Sequence, residues 1–262
     1  MVAEAVGAPA PALALDAQSG FAYRFEWGLE GLEALAAASA VVVVVDVLRF
    51  TTAVCCALEG GSVVLPYRWA SDAAPEFARS QSALLAGRRE LGEPSLSPTD
   101  LLSLPAGTRL VLPSPNGSTI SFRAAELGAA HVLAGCLRNA SAAARAARRI
   151  TQTGPIIVIT HAERWSSGPL RPAVEDLLGA GAILAALDPS AAVGAPACSP
   201  EAAAARAAFV AARPRLYDAL CASTSGRELL GRGWEDDIAN SSAHDVSATV
   251  CRLAGSEFTS LR

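Results

Sequence analysis

The stretch Val41-Val42-Val43-Val44-Val45-Asp46-Val47-Leu48-Arg49-Phe50-Thr51-Thr52 decides the fold. A half-exposed strand alternates apolar and polar residues, so an unbroken run from Val41 to Val45 predicts a central strand covered on both faces. Asp46 then falls at the carboxyl end of that strand, the edge of an open α/β sheet where ligands bind. Arg49, Thr51 and Thr52 enter the first turn of a helix that runs through Ala53 to Leu58 and stops at Gly60-Gly61. An acid, a guanidinium, hydroxyls and free backbone N–H groups in one loop suit a phosphorylated ligand and a metal ion. The plainer reading stays open as well, in which Asp46 only caps the helix and Arg49 pairs with it.

Working outward, the same strand–loop–helix unit recurs. Strands at 108–112, 131–134 and 156–160 lead into loops carrying Asn116-Gly117-Ser118, Arg138-Asn139 and His161-Glu163-Arg164. Ahead of them, Phe21 to Trp27 reads as a strand, 29–38 as a helix, 62–66 as a short strand, 72–85 as a helix and 87–98 as a loop. Ser199-Pro200 predicts a helix start, with Ser199 as N-cap, and the helix runs to about Ala212. Segments 216–220 and 226–230 are expected to be helical, and 249–253 to be a closing strand. Strands alternating with helices predict a three-layer α/β/α sandwich with a largely parallel or mixed central sheet. Residues 1–12, rich in Ala and Pro, read as a disordered tail before a single domain over 13–262. If the strands are parallel neighbours, all four polar loops gather on one edge, each at a helix N-terminus.

Composition narrows the chemistry. The 262 residues carry 21 cationic side chains, every one an arginine. Schiff-base, P-loop and kinase-type mechanisms, which need a lysine, are thereby excluded. A net charge of −4 and a pI near 5.5 argue against a nucleic-acid partner. The valine run is too short to span a bilayer and no basic segment precedes an apolar one at the N-terminus, so no membrane role and a cytoplasmic location are expected. Six cysteines without C-x-x-C spacing and only three histidines argue against a zinc site or a disulfide framework.

Glu175-Asp176 opens another helix. These carboxylates either stabilise the helix dipole or reach a Mg²⁺ ion at the same edge, since Mg²⁺ accepts one or two carboxylates plus water. Asp236-Asp237 and Asp245 are further acidic candidates, with a solvated surface as the simpler reading. Asn116-Gly117 is equally consistent with an ordinary turn, and Asn139 with an N-cap. His131 reads as structural, and His161 stays open.

At these residues the chain resembles the 2-phosphosulfolactate phosphatase family, Mg²⁺-dependent acid phosphatases. That family's Asp-Val-Leu-Arg-Ala-Thr-Thr signature stands here as Asp46-Val47-Leu48-Arg49-Phe50-Thr51-Thr52. Its Asn-Gly-Thr, Gly-Ser-x-x-Asn-Ala and Glu-Asp elements correspond to Asn116-Gly117-Ser118, Gly135-Cys136-Leu137-Arg138-Asn139-Ala140 and Glu175-Asp176. The order holds from about residue 20 to 253, through Ser223, Gly226, Leu229 and Asp237-Ile238. The resemblance implies hydrolysis of a small anionic phosphate monoester with Asp46 and Arg49 as catalytic residues. It further implies substrate contacts from Thr51, Thr52, Asn116, Gly117, Ser118, Arg138 and Asn139, and Mg²⁺ held by Asp46, Glu175 and Asp176. No Asp-x-Asp signature is present, because residue 48 is leucine. That favours Asp46 as a metal ligand orienting water over Asp46 as the nucleophile.

Two positions depart from the family pattern: Arg88 replaces a glutamate and Leu96 an asparagine. An added positive charge weakens cation binding and favours an anion. The alternative function is therefore a non-catalytic anion- or phosphometabolite-binding protein that has lost the metal site. The Ala-rich helices suggest a homodimer.

Overall fold

The structure, a computed structural model, describes residues 18–36, 39–68, 72–189 and 197–261. The expected N-terminal tail lies outside these residues. In chain order the elements are β1 (Tyr23–Trp27), α1 (Gly28–Ala36), β2 (Val41–Val45), α2 (Phe50–Glu59), β3 (Val63–Tyr67), α3 (Ala74–Ser80) and β4 (Leu84–Leu85). Next come α4 (Pro98–Leu102), β5 (Arg109–Pro113), α5 (Gly117–Glu126), β6 (His131–Gly135), α6 (Ala140–Ile150), β7 (Ile156–Thr160), β8 (Glu163–Arg164) and β9 (Leu170–Arg171). The chain finishes with α7 (Val174–Leu187), α8 (Pro200–Ala212), α9 (Leu216–Ala222), α10 (Thr224–Gly231), α11 (Glu235–Ser242), β10 (Cys251–Ala254) and β11 (Glu257–Ser260).

The central strand is β2, paired in parallel with β6 on one side and β7 on the other. Its five valines are all 0% exposed, which only a strand covered on both faces allows. Their side chains divide by the two-residue period of a strand. Val41, Val43 and Val45 join a core built with α6, α7 and α8. Val42 and Val44 join an opposite core built with α1, α2, α4 and α5. The result is a mixed sheet with helices on both faces, as the sequence predicts. Ser199 caps α8 as expected, its hydroxyl accepting the Ala202 N–H at 3.1 Å, with Pro200 at the first helical position.

The strand order is β1-β7-β2-β6-β10-β11-β3-β5-β4. This corrects the expectation that four parallel neighbours carry the polar loops. β7, β2 and β6 are neighbours, but β10, β11 and β3 intervene before β5. Three successive antiparallel pairings, β6/β10, β10/β11 and β11/β3, reverse the sense of the ladder. The β3–β5–β4 block therefore runs opposite to β2, and Asn116 arrives from a different part of the sheet. The expected helix at 72–85 is also corrected: α3 stops at Ser80, and Leu84-Leu85 pairs with β5 as an edge strand. Ser82 turns the chain there, with φ 49°.

No helix among the described residues is long and apolar enough to cross a membrane. All six cysteines are free thiols.

Candidate active site

Asp46 leaves the end of β2 and the chain turns at once into α2. Thr51 ties that turn: its hydroxyl donates to the Asp46 carbonyl at 2.8 Å and accepts the Asp46 N–H at 3.0 Å. The Thr52 hydroxyl donates to the Val47 carbonyl at 2.8 Å. Both threonines are fully buried, so their side chains build the loop rather than face the cavity. With its own backbone groups held, the loop presents the Asp46 carboxylate, which accepts the Phe50 N–H at 3.1 Å. Asp46 is thus in part the helix cap of the plainer reading. Arg49, however, pairs with Asp237 rather than with Asp46.

A cavity of about 350 Å³ opens over this carboxylate, lined among others by Asp46, Arg49, Asn116, Glu163, Arg164 and Arg171. Asn116 donates to Glu163 at 3.1 Å, tying the α5 end to the β8–β9 hairpin. Glu175 and Asp176, at the start of α7, are buried and interact electrostatically with Asp46. Asp176 accepts the Val47 N–H at 2.8 Å.

Carboxylates gathered out of water raise one another's pKa. Burial pushes Asp46 up to about 6, against the opposing Phe50 N–H, with repulsion from Glu175 adding to the rise and the Gly117 N–H and Arg49 opposing it. Asp176 is held well above the ordinary carboxylate range by burial first, then by Asp46 and Glu175. Glu163 is raised by burial and by Asp46. His161, at the same edge, is lowered by burial.

Gly117 is required by packing. A Cβ there would stand 2.0 Å from the Phe50 ring, so only glycine lets the α5 N-terminus close on the Asp46 loop. Ser118 is fully buried, and its hydroxyl has no partner among the described residues. Arg138 and Asn139 do not join the cavity. Arg138 pairs with Glu59 at 3.2 Å and donates to the Asn240 carbonyl at 3.3 Å. Asn139 stands at the N-terminus of α6 but makes no capping bond. Its side chain instead accepts the Cys136 N–H at 2.9 Å and donates to the carbonyls of Ala134 and Thr249 at 3.3 and 3.1 Å.

Three acidic residues take basic or N–H partners away from the carboxylate group. Asp245 accepts the Ser141 N–H and hydroxyl, both at 2.7 Å. Asp236 pairs with Arg89 at 2.6 Å. Asp237, completely buried, holds Arg49 at 2.7 Å and accepts the Ser97 hydroxyl.

Sequence reasoning missed the role of Asp237 and of Trp234, whose ring lies 4.8 Å from the Arg49 guanidinium. It put Glu163 in a polar loop at this edge without a chemical role, and it did not single out Arg171. The position of Glu163 just after a buried strand was the available signal. Leu96 lines the cavity beside Arg49, and Arg88 lines a neighbouring hollow.

The 2-phosphosulpholactate phosphatase family matches residues 30–256. A probable 2-phosphosulfolactate phosphatase from Thermus thermophilus is 33% identical over 151 residues, a stretch covering 55% of this chain and 60% of that protein. A 2-phosphosulfolactate phosphatase from Methanothermobacter thermautotrophicus is 29% identical over 218 residues, 81% of this chain and 86% of that protein.

Proposed function

We propose that this chain, which belongs to the 2-phosphosulpholactate phosphatase family, hydrolyses 2-phosphosulfolactate or a close anionic phosphate monoester in the cavity over Asp46. The observation that carries the reading is the lining of that cavity, where carboxylates with raised pKa, Asp46 and Glu163, stand among the guanidinium-bearing residues Arg49, Arg164 and Arg171.

Mg²⁺ fits the donor chemistry. Asp46, Glu175 and Asp176 are hard oxygen donors that repel one another, and a cation relieves that repulsion. Among the described residues no three His, Cys, Asp or Glu side chains form a ready cage. Mg²⁺ does not demand one, because it keeps waters and takes substrate oxygens alongside one or two carboxylates. Asp46, with Glu175 or Asp176, would hold the ion, which when bound would neutralise phosphate oxygens.

The chain's own groups supply the rest. Arg49, fixed by Asp237, would donate to phosphate oxygens, and a fork already oriented loses little freedom on binding. Arg164 and Arg171 add positive potential at the cavity wall. Glu163, raised by burial and steadied by Asn116, would accept a proton from the attacking water and return it to the ester oxygen, which departs as the alcohol.

The test is phosphate release from 2-phosphosulfolactate with Mg²⁺ and with EDTA. Turnover that stops in EDTA supports the reading. No release under any metal condition, together with tight binding of phosphorylated ligands, would replace it with the non-catalytic binding protein.

A further inference from the structure

The cavity over Asp46 does not end at Arg49. Arg49, Leu96 and Arg232 also line a second hollow of about 520 Å³, together with Arg88, Arg89 and Trp234. Trp234 is the hub: the guanidinium carbons of Arg49, Arg232 and Arg89 lie 4.8, 5.1 and 5.7 Å from its ring centroid. An aromatic face attracts a guanidinium without neutralising its charge.

Neutralisation comes from carboxylates, and these are distributed unevenly. Arg89 has Asp100, Asp236 and Asp237 within 4.0 Å, and Arg49 shares Asp237. Arg88 and Arg232 have no carboxylate partner at that distance among the described residues. Glu93 takes the Arg88 backbone N–H at 2.8 Å, which leaves the side chain unpaired. Glu90 is the acidic residue on the wall of this hollow. Two unpaired guanidinium groups thus face a concavity joined to the carboxylate cavity. Arg138, the arginine that sequence reasoning assigned to the substrate, is occupied by Glu59.

We propose that Arg88 and Arg232 form an anion subsite that takes a second acidic group of the substrate while its phosphate lies over Asp46. The group is a carboxylate, a sulfonate or another phosphate, each matching the planar fork of an arginine. The proposal rests on the phosphatase reading for the placement of the phosphate. It makes the chain selective for phosphate monoesters that carry an additional acid, and Arg88 and Arg232 the residues that set this selectivity.

Two measurements test it separately from catalysis. The first is the ratio of kcat/KM for 2-phosphosulfolactate to that for phenyl phosphate, in wild type, Arg88→Gln and the double variant Arg88→Gln/Arg232→Gln. The ratio is expected to fall at least tenfold in the double variant and partway in the single one; an unchanged ratio overturns the subsite. The second is calorimetric binding of sulfolactate, which has no phosphate. Its Kd is expected to rise at least tenfold in the double variant, and equal affinity, or no binding to wild type, overturns the subsite. If neither ester is turned over by wild type, the phosphatase reading fails while the sulfolactate measurement still decides the subsite. Arg88 is exposed and its side chain makes no ion pair among the described residues, so its substitution leaves the fold in place.

Discussion

The Val47 N–H donates to the Asp176 carboxylate at 2.8 Å, joining residues 129 positions apart. This bond locks the start of α7 onto the Asp46 loop and brings a second buried carboxylate to the first. Asp176→Ala would leave the Val47 N–H buried and unsatisfied, at a cost of about 2 kcal/mol. Asp176→Asn keeps an acceptor and removes the charge. Chemical denaturation should find Asp176→Ala clearly less stable than Asp176→Asn, with phosphatase activity reduced in both. Equal stability of the two variants would contradict this role.

Stability should also depend on pH through Asp46. A folded-state pKa raised from 3.8 to about 6 means that the fold favours the protonated acid. The associated stability is fully present below pH 3.8 and is lost as pH rises through 6, a change of roughly 3 kcal/mol. Asp46→Asn removes the charge, while its amide oxygen can still accept the Phe50 N–H. In EDTA at pH 8 the variant should therefore melt above wild type, and the difference should vanish near pH 4. A variant that melts lower at pH 8 would mean that the ionised Asp46 is stabilised by the folded protein.

Gly117→Ala would push a Cβ to 2.0 Å from Phe50, which is fully buried and packs edge-to-face on Phe258 with ring centroids 6.1 Å apart. Overpacking of this kind costs about 1 to 3 kcal/mol. Because Phe50 supplies a backbone N–H to Asp46, activity should fall along with the melting temperature. Full activity in the alanine variant would show that the α5 terminus and the Asp46 loop move independently.

Asp237 is a positioning residue that acts through Arg49. Removing it outright strands Arg49 and frees Ser97, and breaking such a buried pair costs about 3 to 5 kcal/mol. Asp237→Asn is the informative variant: it should fold and should raise KM for 2-phosphosulfolactate more than it lowers kcat. A loss confined to kcat would place Arg49 in transition-state stabilisation without a part in ground-state binding.

Much of this was legible in the sequence because it depends on local periodicity. The valine run gave a strand buried on both faces and placed Asp46 at its end. The Ser199-Pro200 pair gave the start of α8. Other features depend on which elements meet in space, and no local pattern carries that. The insertion of β10 and β11 between β6 and β3 reverses half of the sheet, yet each of those strands has only four residues. Arg138 and Arg49 stand in similar loops after parallel neighbours, but one meets Glu59 and the other Asp237. Thr51 and Thr52 carry the right hydroxyls for a phosphate and spend them on their own backbone.

The most direct test is the rate of phosphate release from 2-phosphosulfolactate as a function of Mg²⁺ concentration, run in parallel on wild type and Asp46→Asn. Saturable Mg²⁺ dependence is expected in wild type, and a loss of at least a hundredfold in the variant, a size common for groups that stabilise a transition state electrostatically. Wild-type turnover that ignores Mg²⁺, or an Asp46→Asn variant that keeps its rate, would contradict a metal-dependent phosphatase centred on Asp46.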